Sequence, residues 1–402
     1  MRNIVHFDLD TFFVSVERLE NSQLNNLPVM IGGVSDRGVV AACSYEARAF
    51  GVYSSMPMRL ARQLCPDAII IKGDSGRYSK YSRIVTDIIK EKVPVIEKAS
   101  IDEFYVDMTG MDRFFSSYQL ATELRSTIKK EAGLPISFGF SENKTVSKIA
   151  TGEAKPNGQR KIDFGLEKPF LAPLPIDRIP MLGKKTAHLL QQMGVHKIGV
   201  LQDMPKEVME QSMGKNGLSL WKKANGIDNT PVVPYSERKS ISTERTFDQD
   251  TIDVNKLRGI LIAMAENLAF QLRRGNKLTG CITIKIRYSD FNTYSQQKRI
   301  PYTACDHTLI RWTKEIFEKL YQRRVRVRLI GVRYSHLVGG AHQINLFEDT
   351  EEIIQLYQAM DKMREKYGQG AVKRAVAMGA RTIGMRNPFN GEPPLIMAHR
   401  KA

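Results

Sequence analysis

The sequence predicts an α+β protein of several domains, and three observations lead to this class. Residues 241–334 hold strand and helix patterns in the order β-α-β-β-α-β. Short apolar strand patterns alternate with amphipathic helix patterns from the start of the chain to the proline-rich segment at residues 169–177. A chain of 402 residues, 42% of them hydrophobic, is long enough for about two to four domains.

The composition is strongly basic. Lys and Arg number 60 against 43 Asp and Glu, which gives a formal net charge of +17 at pH 7. Such an excess indicates a polyanionic partner, most commonly nucleic acid. No apolar run approaches the roughly 18–20 residues that span a bilayer, so we expect no membrane partner. The chain runs from Met1 straight into a strand, and its Cys residues form no C-x-x-C pair, so we expect a cytoplasmic protein without signal peptide, disulfide or zinc site.

Carboxylates interrupt two apolar runs near the start of the chain. Residues 3–10 form a strand pattern that ends in carboxylates, among them Asp8, and residues 99–107 form a second one around Asp102 and Glu103. In a strand, Asp102 and Glu103 would point to opposite faces. Burying an unpaired carboxylate costs several kcal/mol, which favours a strand end where both groups reach one hard cation.

Asp8, Asp102 and Glu103 together supply three oxygen ligands. One or two Mg²⁺ ions take about that many from a protein when substrate phosphates provide the rest. The alternative is that Asp8 and Asp10 cap a turn and that Asp102 pairs with a surface lysine. Each segment alone favours this alternative, whereas the two segments together, in so basic a chain, favour a metal site.

The other elements before residue 165 follow from periodicity and end signals. A helix begins near Thr11, and a short helix after Ser44 ends at Gly51. Ser141 is expected to cap a helix that carries Val146 and Ile149. The remaining predicted elements are strands at 29–31 and 39–42, a helix over 78–88 stopped by Pro94, a helix over 120–132 and a strand over 136–140.

Proline-rich stretches mark two boundaries in the middle of the chain. Residues 169–177 close the first part, and residues 231–240 form the clearest linker. Between them, residues 179–187 predict a tight hairpin between two short helices. Backbone N–H groups at such a turn, beside a helix N-terminus, suit a phosphate.

The last predicted module is rich in cations. Residues 241–342 contain 18 Lys and Arg against 9 Asp and Glu. Period-two patterns place apolar residues on one face of its sheet and cations on the open face, where a phosphate backbone would offset their repulsion. The cations are Lys285, Arg287, Arg324, Arg326 and Arg328. Strands predicted at 242–247, 281–288, 293–300 and 325–334, with helices over 257–272 and 309–320, are typical of a ferredoxin-like fold.

These pieces together resemble the Y-family DNA polymerases, translesion enzymes that include bacterial DNA polymerases IV and V. The resemblance extends from Met1 to about Arg386, and its motifs stand in the family's order. They are His6-Phe7-Asp8-Leu9-Asp10-Thr11-Phe12-Phe13, Ser44-Tyr45-Glu46-Ala47-Arg48, Ser100-Ile101-Asp102-Glu103, Ala154-Lys155-Pro156-Asn157-Gly158, the hairpin and the basic module.

The resemblance implies a right-hand α+β polymerase with a ferredoxin-like palm, small fingers, a helix-hairpin-helix thumb and a β-α-β-β-α-β little finger. It implies a palm over residues 1–10 and 74–165, fingers over 11–73, a thumb over 166–230, the linker over 231–240 and a little finger over 241–342. A C-terminal extension over 343–402 includes a tail that resembles polymerase V-like catalytic subunits, with a helix through Ile353, Leu356, Met360 and Met363.

The resemblance also implies functional residues. Asp8, Asp102 and Glu103, with the Leu9 carbonyl, would bind two Mg²⁺ ions, while Asp10 and Asp107 would be structural. The dNTP contacts would be Phe12, Phe13, Tyr45, Arg48 and Lys155, with Phe13 as the steric gate against ribose. The alternative for Tyr45 and Phe13 is that their rings pack in the core, and this alternative is favoured for Phe12. The alternative for Arg48 and Lys155 is a solvated surface cation.

Polymers and partner proteins follow from the same resemblance. Primer-template DNA would be bound by the five cations above and by Gly183, Lys184, Lys185 and Thr186 of the hairpin, where Met181 replaces a frequent glycine. Gln343, Leu346 and Phe347 resemble a sliding-clamp motif, although a final strand would look similar. We expect a monomer in the bacterial cytoplasm, associated with the nucleoid, that can also meet accessory damage-response proteins.

Two other functions remain open from the sequence. Asp8-Leu9-Asp10-Thr11 after an apolar strand matches the start of haloacid-dehalogenase-type phosphatases, with Asp8 as nucleophile. That reading requires continued Rossmann-like βα alternation, which the chain lacks. A noncatalytic DNA-binding scaffold is the other candidate, but it gives no reason for clustered carboxylates beside DNA. Metal-dependent primer extension separates the three.

Overall fold

The computed structural model of the chain describes residues 2–35, 37–113, 116–340, 350–368 and 370–378. The described chain divides into an N-terminal unit that ends at Ser236 and a C-terminal unit that begins at Glu237. Among the described residues, no helix has the length and apolar character needed to cross a bilayer.

Short strands and helices alternate along the N-terminal unit. Its strands are Ile4–Leu9 (β1), Val29–Gly32 (β2), Val40–Cys43 (β3), Ile69–Ile71 (β4), Val95–Lys98 (β5), Glu103–Asp107 (β6), Ile136–Ser141 (β7) and Gln159–Lys161 (β8). Its helices are Phe12–Glu20 (α1), Tyr45–Ala49 (α2), Met58–Leu64 (α3), Ser75–Lys92 (α4), Ser117–Ala132 (α5), Lys144–Ala154 (α6), Glu167–Leu171 (α7), Lys184–Gln192 (α8), Ile198–Asp203 (α9) and Lys206–Ala224 (α10).

The main sheet of this unit has the strand order β5-β6-β1-β7-β8. Strand β1 is antiparallel to both β6 and β7, so the first four strands have the order of a ferredoxin-like sheet. Val5, Phe7 and Phe104 point to one face and form a core with α4 and α5. The alternate residues of β1 point to the other face, where His6 contacts Thr151 of α6. Because helices cover both faces of this sheet, they determine which side chains of its strands can be exposed.

A smaller sheet, with the order β3-β2-β4, forms between the first helix and α4. Its core contains Met30, Cys43 and Met58, all fully buried. The strands predicted at 29–31 and 39–42 are confirmed, as is the short helix that precedes Gly51, whose φ is 83°.

Two predictions in this unit are wrong in detail. The strand predicted over residues 99–107 begins only at Glu103, because the N–H groups of Ala99 and Ser100 both turn back to the Glu103 carbonyl, at 3.0 and 3.2 Å. Ser141 is the last residue of β7 and not a helix cap. The cap of α6 is Asn143, whose Oδ1 accepts a hydrogen bond of 2.9 Å from the Val146 N–H.

The predicted linker over residues 231–240 is partly docked. Val232 is buried against Ile4 and Tyr105, and the Val233 N–H donates to Glu97 Oε2 at 2.7 Å. At its other end, strand β9 already begins at Ser240. The proline content of the linker therefore indicated a boundary, but it did not indicate that the first half of the linker is attached to the N-terminal sheet.

The C-terminal unit has the predicted order of elements, although its strands are longer than predicted. Its strands and helices are, in chain order, Ser240–Thr251 (β9), Val254–Arg274 (α11), Lys277–Tyr288 (β10), Thr293–Thr303 (β11), Asp306–Leu320 (α12), Val327–Gly339 (β12) and Thr350–Tyr367 (α13). The strand order is β11-β10-β12-β9, so the second and fourth strands lie in the centre. A ferredoxin-like sheet has the first and third strands there, and that prediction is wrong for this module because element order alone does not determine strand order.

Helix α13 lies on this unit with its polar side inward. Tyr357 and Arg364 are buried, while Leu356 and Met363 are 50% and 47% exposed. The predicted helix is thus present, but its apolar residues do not form its packing face. Instead, the Arg273 guanidinium binds Asp361 of α13 through Nε and Nη2, at 2.6 and 2.9 Å. A bidentate ion pair of this kind fixes the rotation of the helix.

Candidate functional site

Asp8 and Glu103 lie directly opposite each other in neighbouring antiparallel strands. The register pairs Asp8 of β1 with Glu103 of β6, so both side chains leave the same face of the sheet. Asp102 is the residue before β6, and its carbonyl accepts a hydrogen bond of 3.0 Å from the Leu9 N–H. The structure therefore brings together the three acids that the sequence singled out, although Asp8 is more than 90 residues from the other two in the chain.

Ser100 shapes the turn that carries Asp102. Its hydroxyl accepts hydrogen bonds from the N–H groups of Asp102 and Glu103, at 3.3 and 2.9 Å, and donates to the Asp102 carboxylate. Because Asp102 lies in this turn and not in the strand, the strict alternation expected for a strand does not separate it from Glu103.

The three acids have different affinities for protons. Burial raises the pKa of Asp8 to about 7 against the opposing effect of Lys155, and the charges of Glu103 and Asp102 add to the rise. Burial also raises the pKa of Asp102. The pKa of Glu103 is lowered: burial opposes this, but contacts with His6 and Lys148 outweigh it. Burial lowers the pKa of His6 to about 4, so His6 is neutral at pH 7 and Lys148 supplies the positive charge.

The donor set at this site fits a divalent cation. Asp8, Asp102 and Glu103 present only oxygen atoms, which hard cations prefer, and a bound cation would offset both the burial and the mutual repulsion of these carboxylates. As the side chains of the described residues lie, no group of three or more His, Cys, Asp and Glu could hold a metal ion. The Lys155 ammonium instead neutralises Asp8, at 2.6 Å from Oδ1.

Predicted nucleotide contacts surround the same carboxylates. Lys155 follows α6 and contacts Asp8, as described above. The Tyr45 hydroxyl of α2 lies 3.5 Å from Asp10 Oδ1, and the Arg48 guanidinium lies 4.9 Å from the centre of the Tyr45 ring. Three groups that can bind phosphate oxygens are therefore gathered beside the acidic cluster.

The two predicted aromatic contacts have different environments. The Phe12 side chain is 2% exposed within the core of the main sheet, so the predicted nucleotide contact cannot come from its ring. Phe13 is only partly buried and stacks on Tyr78, with ring centres 4.2 Å apart and planes 14° from parallel. The Tyr78 hydroxyl donates to Glu17 Oε1 at 2.7 Å, which holds the stacked pair in place.

The predicted hairpin lies at the start of α8. Gly183 precedes the helix without a side-chain cap, and Lys184 and Lys185 are exposed in its first turn, followed by Thr186. The Lys184 ammonium lies 4.9 Å from the centre of the Tyr53 ring. Met181 has a φ of 71° and is 94% exposed, a backbone conformation that glycine would adopt at lower cost.

The cationic face of the C-terminal sheet differs in part from the prediction. Lys285 and Arg287 lie in β10, but Lys285 pairs with Glu244 of β9. Arg324 and Arg326 precede β12, which begins at Val327, and a register shift between Val327 and Leu329 interrupts the predicted alternation around Arg328.

Sequence reasoning missed several residues of both sites. Arg299 and Arg333 are exposed on the face of Thr283 and Lys285, and extending the period-two pattern along β11 and β12 would have found them. Lys148 contacts Glu103, which is distant in sequence, so no local signal identified it, and Asp10, which was expected to be structural, faces Lys155. The predicted clamp residues Gln343, Leu346 and Phe347 lie outside the described residues.

The chain is similar to known proteins over most of its length. Residues 7–152 match the impB/mucB/samB family, and residues 238–346 match the C-terminal domain of that family. DNA polymerase IV of Dehalococcoides mccartyi is 38% identical over 383 residues, which cover 93% of this chain and 97% of that protein. DNA polymerase IV of Desulfatibacillum aliphaticivorans is 34% identical over 92% of this chain and 96% of its own. A solved Y-family DNA polymerase chimera of Dbh and Dpo4 superposes with a TM-score of 0.75 at 28% identity, covering 84% of this chain and all of the chimera.

The chain belongs to the Y-family DNA polymerases. Its right-hand α+β fold and its function as a DNA-directed translesion polymerase, predicted from sequence, are confirmed by these matches. Membership implies binding of primer-template DNA and dNTPs and dependence on a divalent metal. The phosphatase interpretation is not supported, since β1, which carries Asp8, is antiparallel to both of its neighbours and not part of a parallel Rossmann-like sheet.

Proposed function

We propose that Asp8, Asp102 and Glu103 bind two Mg²⁺ ions and that the polymerase uses this site to add dNTPs to a primer 3′-OH. The observation that carries the proposal is the pairing of Asp8 with Glu103 across β1 and β6, together with the hydrogen bond from the Leu9 N–H to the Asp102 carbonyl. When bound, such ions lower the pKa of the attacking hydroxyl and neutralise the leaving pyrophosphate. The Leu9 carbonyl is the remaining proposed ligand.

Of the surrounding cations, one acts on the carboxylates and two act on the nucleotide. Lys148 keeps Glu103 ionised, which leaves that carboxylate ready for a metal. Lys155 and Arg48 neutralise triphosphate oxygens, and the Tyr45 hydroxyl donates one directed hydrogen bond. Their position around Asp8 and Asp10 supports this assignment.

Asp102→Asn tests the metal site. The amide keeps the size of the side chain but removes the charge, so we expect nucleotide incorporation to fall by at least about a thousandfold while DNA affinity persists. Single-nucleotide primer extension and fluorescence anisotropy with the same duplex measure the two properties. Asp107→Asn, at the far end of β6, is the matched control and should stay active. Turnover retained in Asp102→Asn would remove Asp102 from the site.

Phe13 is proposed as the steric gate, because its partly buried ring is fixed by stacking on Tyr78. Phe13→Ala should open space for a ribose 2′-OH and lower the ratio of kcat/KM for dNTP over rNTP by about tenfold or more. Steady-state incorporation of matched dNTP and rNTP measures this ratio, with Phe50→Ala, an exposed aromatic of the same unit, as control. An unchanged ratio in Phe13→Ala would show that another group excludes ribose.

Duplex DNA is proposed to bind two cationic surfaces. One is the α8 hairpin, where Gly183, Lys184, Lys185 and Thr186 offer backbone N–H groups and ammonium groups to a phosphate. The other comprises Lys285, Arg287, Arg299 and Arg333, with Arg324, Arg326 and Arg328 at its margin. We expect the polymerase to insert nucleotides opposite damaged template bases, and to do so with low fidelity. Primer extension opposite an undamaged base, an abasic site and a bulky adduct tests this directly.

Gln343, Leu346 and Phe347 are proposed to dock on a sliding clamp, with the two apolar residues as anchors and Gln343 as the polar contact. Leu346→Ala combined with Phe347→Ala should abolish clamp stimulation and leave clamp-free extension unchanged. Processivity assays with and without clamp distinguish these effects, and unaffected stimulation would refute the motif. We further propose that the polymerase acts as a monomer in the cytoplasm and can meet accessory damage-response proteins there.

A further inference from the structure

Asp10 is almost completely buried, at 1% exposed, between three segments of the N-terminal unit. Its Oδ2 accepts hydrogen bonds from the Ser137 hydroxyl at 2.8 Å and from the Asn157 N–H at 2.7 Å. Ser137 Oγ also accepts from the Gly158 N–H at 3.1 Å, so the turn after Lys155 is tied to β7 through Asp10 and Ser137.

The other carboxylate oxygen of Asp10 faces the proposed nucleotide contacts. Oδ1 lies 3.8 Å from the Lys155 ammonium and 3.5 Å from the Tyr45 hydroxyl. The two donors on Oδ2 restrict rotation of the carboxylate, so Oδ1 stays directed toward Lys155 and Tyr45. An ammonium has three N–H donors. At Lys155 one of them is directed at Asp8 Oδ1, whereas Asp10 Oδ1 attracts the ammonium from beyond hydrogen-bond distance, so N–H donors remain for a phosphate oxygen.

We infer that Asp10 is a positioning residue for nucleotide binding, which holds Lys155 and its turn so that the ammonium meets the triphosphate. The inference rests on the proposed role of Lys155. Asp10 is not itself assigned to the metal or the nucleotide. It acts on both the side chain of Lys155 and the backbone that follows it, and it reaches across to Tyr45 of α2.

The expected effect of losing Asp10 is weaker dNTP binding with little change in the chemical step. In Asp10→Asn, the amide can still accept from Ser137 and Asn157, but it presents N–H groups to the ammonium and no longer restrains it. We expect KM for dNTP to rise about tenfold, because the ammonium loses a charged partner that orients it, with kcat changed less than about twofold. Asp107→Asn is the control for removal of a carboxylate from the same sheet.

A double-mutant cycle separates positioning from general damage. Lys155→Ala, Asp10→Asn and the double variant are compared by dNTP titration in single-nucleotide primer extension, with thermal unfolding as a check on the fold. If Asp10 acts through Lys155, Asp10→Asn should raise KM in the parent but change it less than about twofold in the Lys155→Ala background.

Three outcomes would overturn the inference. An unchanged KM for Lys155→Ala would remove the proposed role of Lys155 and the inference with it. A raised KM for Lys155→Ala but not for Asp10→Asn would reject Asp10 alone and leave the proposed function standing. Equal and additive effects in both backgrounds, or a loss of kcat together with a lowered unfolding temperature, would show that Asp10 acts independently of Lys155.

Discussion

At the residue scale, Asp8 links the protonation of the site to metal binding. Burial raises the pKa of this carboxyl to about 7, so below pH 7 it carries a proton that a metal must displace. We expect the affinity of the metal-free protein for a divalent cation to fall about tenfold per pH unit below pH 7 and to level off above it. Calorimetric titration with Mn²⁺ across this range measures the slope.

Asp8→Asn provides the comparison for this titration. Without the ionisable carboxyl of Asp8, the remaining affinity should be lower and should depend less on pH between 5.5 and 7, since Glu103 stays ionised there. A pH slope that is the same in Asp8→Asn as in the parent would assign the proton to another group.

The acids could be identified from sequence because each is part of an unusual local pattern, a carboxylate within an apolar run. Asp10 was expected only to be structural, and Lys148 was given no role. Their partners, Asn157 for Asp10 and Glu103 for Lys148, are far along the chain and come near only through sheet register and the packing of α6. Local patterns identify residue types that are costly to bury, but not the groups that offset that cost.

At the element scale, α13 shows that an amphipathic pattern does not determine which side packs. Spacing predicted the helix through Leu356 and Met363, but the buried side carries Asp361 and Arg364. The buried guanidinium of Arg273, which pairs with Asp306 as well as Asp361, sets the orientation instead. Ion pairs between distant residues leave no periodic signal in the sequence.

Paired substitutions in α13 test this orientation. Asp361→Ala removes a partner from two buried guanidinium groups and should destabilise the C-terminal unit by about 2–3 kcal/mol. Leu356→Ala, on the exposed side, should change stability by no more than about 0.5 kcal/mol. Urea unfolding followed by fluorescence of Trp312, in a Trp221→Phe background, reports on this unit. A larger loss for Leu356→Ala than for Asp361→Ala would mean that the apolar side is buried.

Strand order in the C-terminal unit was the other property that element patterns predicted wrongly. The patterns for β9 to β12 predicted each element of the C-terminal unit, and both strands of the hairpin β10–β11 are adjacent as expected. Which strand pairs with β12 depends on how the two crossover helices pack, and the alternation of apolar and polar residues is compatible with either order.

At the scale of the whole molecule, charge predicted the partner better than any single element did. The net charge of +17 indicated a polyanion, and the family assignment identifies it as DNA. Arg299→Ala and Arg333→Ala should each weaken duplex binding and reduce the slope of log K against log salt by about 0.9, the value for one phosphate contact. Arg311→Ala, an exposed cation on α12, is the matched control for net charge. Equal slopes for all three variants would indicate attraction by net charge alone.

The shared metal site of Asp8, Asp102 and Glu103 is the feature on which the proposed chemistry depends. Anomalous diffraction from manganese, in crystals of the polymerase with a dideoxy-terminated primer-template and the next dNTP, locates the ions directly. We expect anomalous peaks within about 2.0–2.4 Å of oxygens from all three carboxylates. Peaks bound to other side chains, with Asp102 or Glu103 pointing away from every ion, would contradict the proposed site.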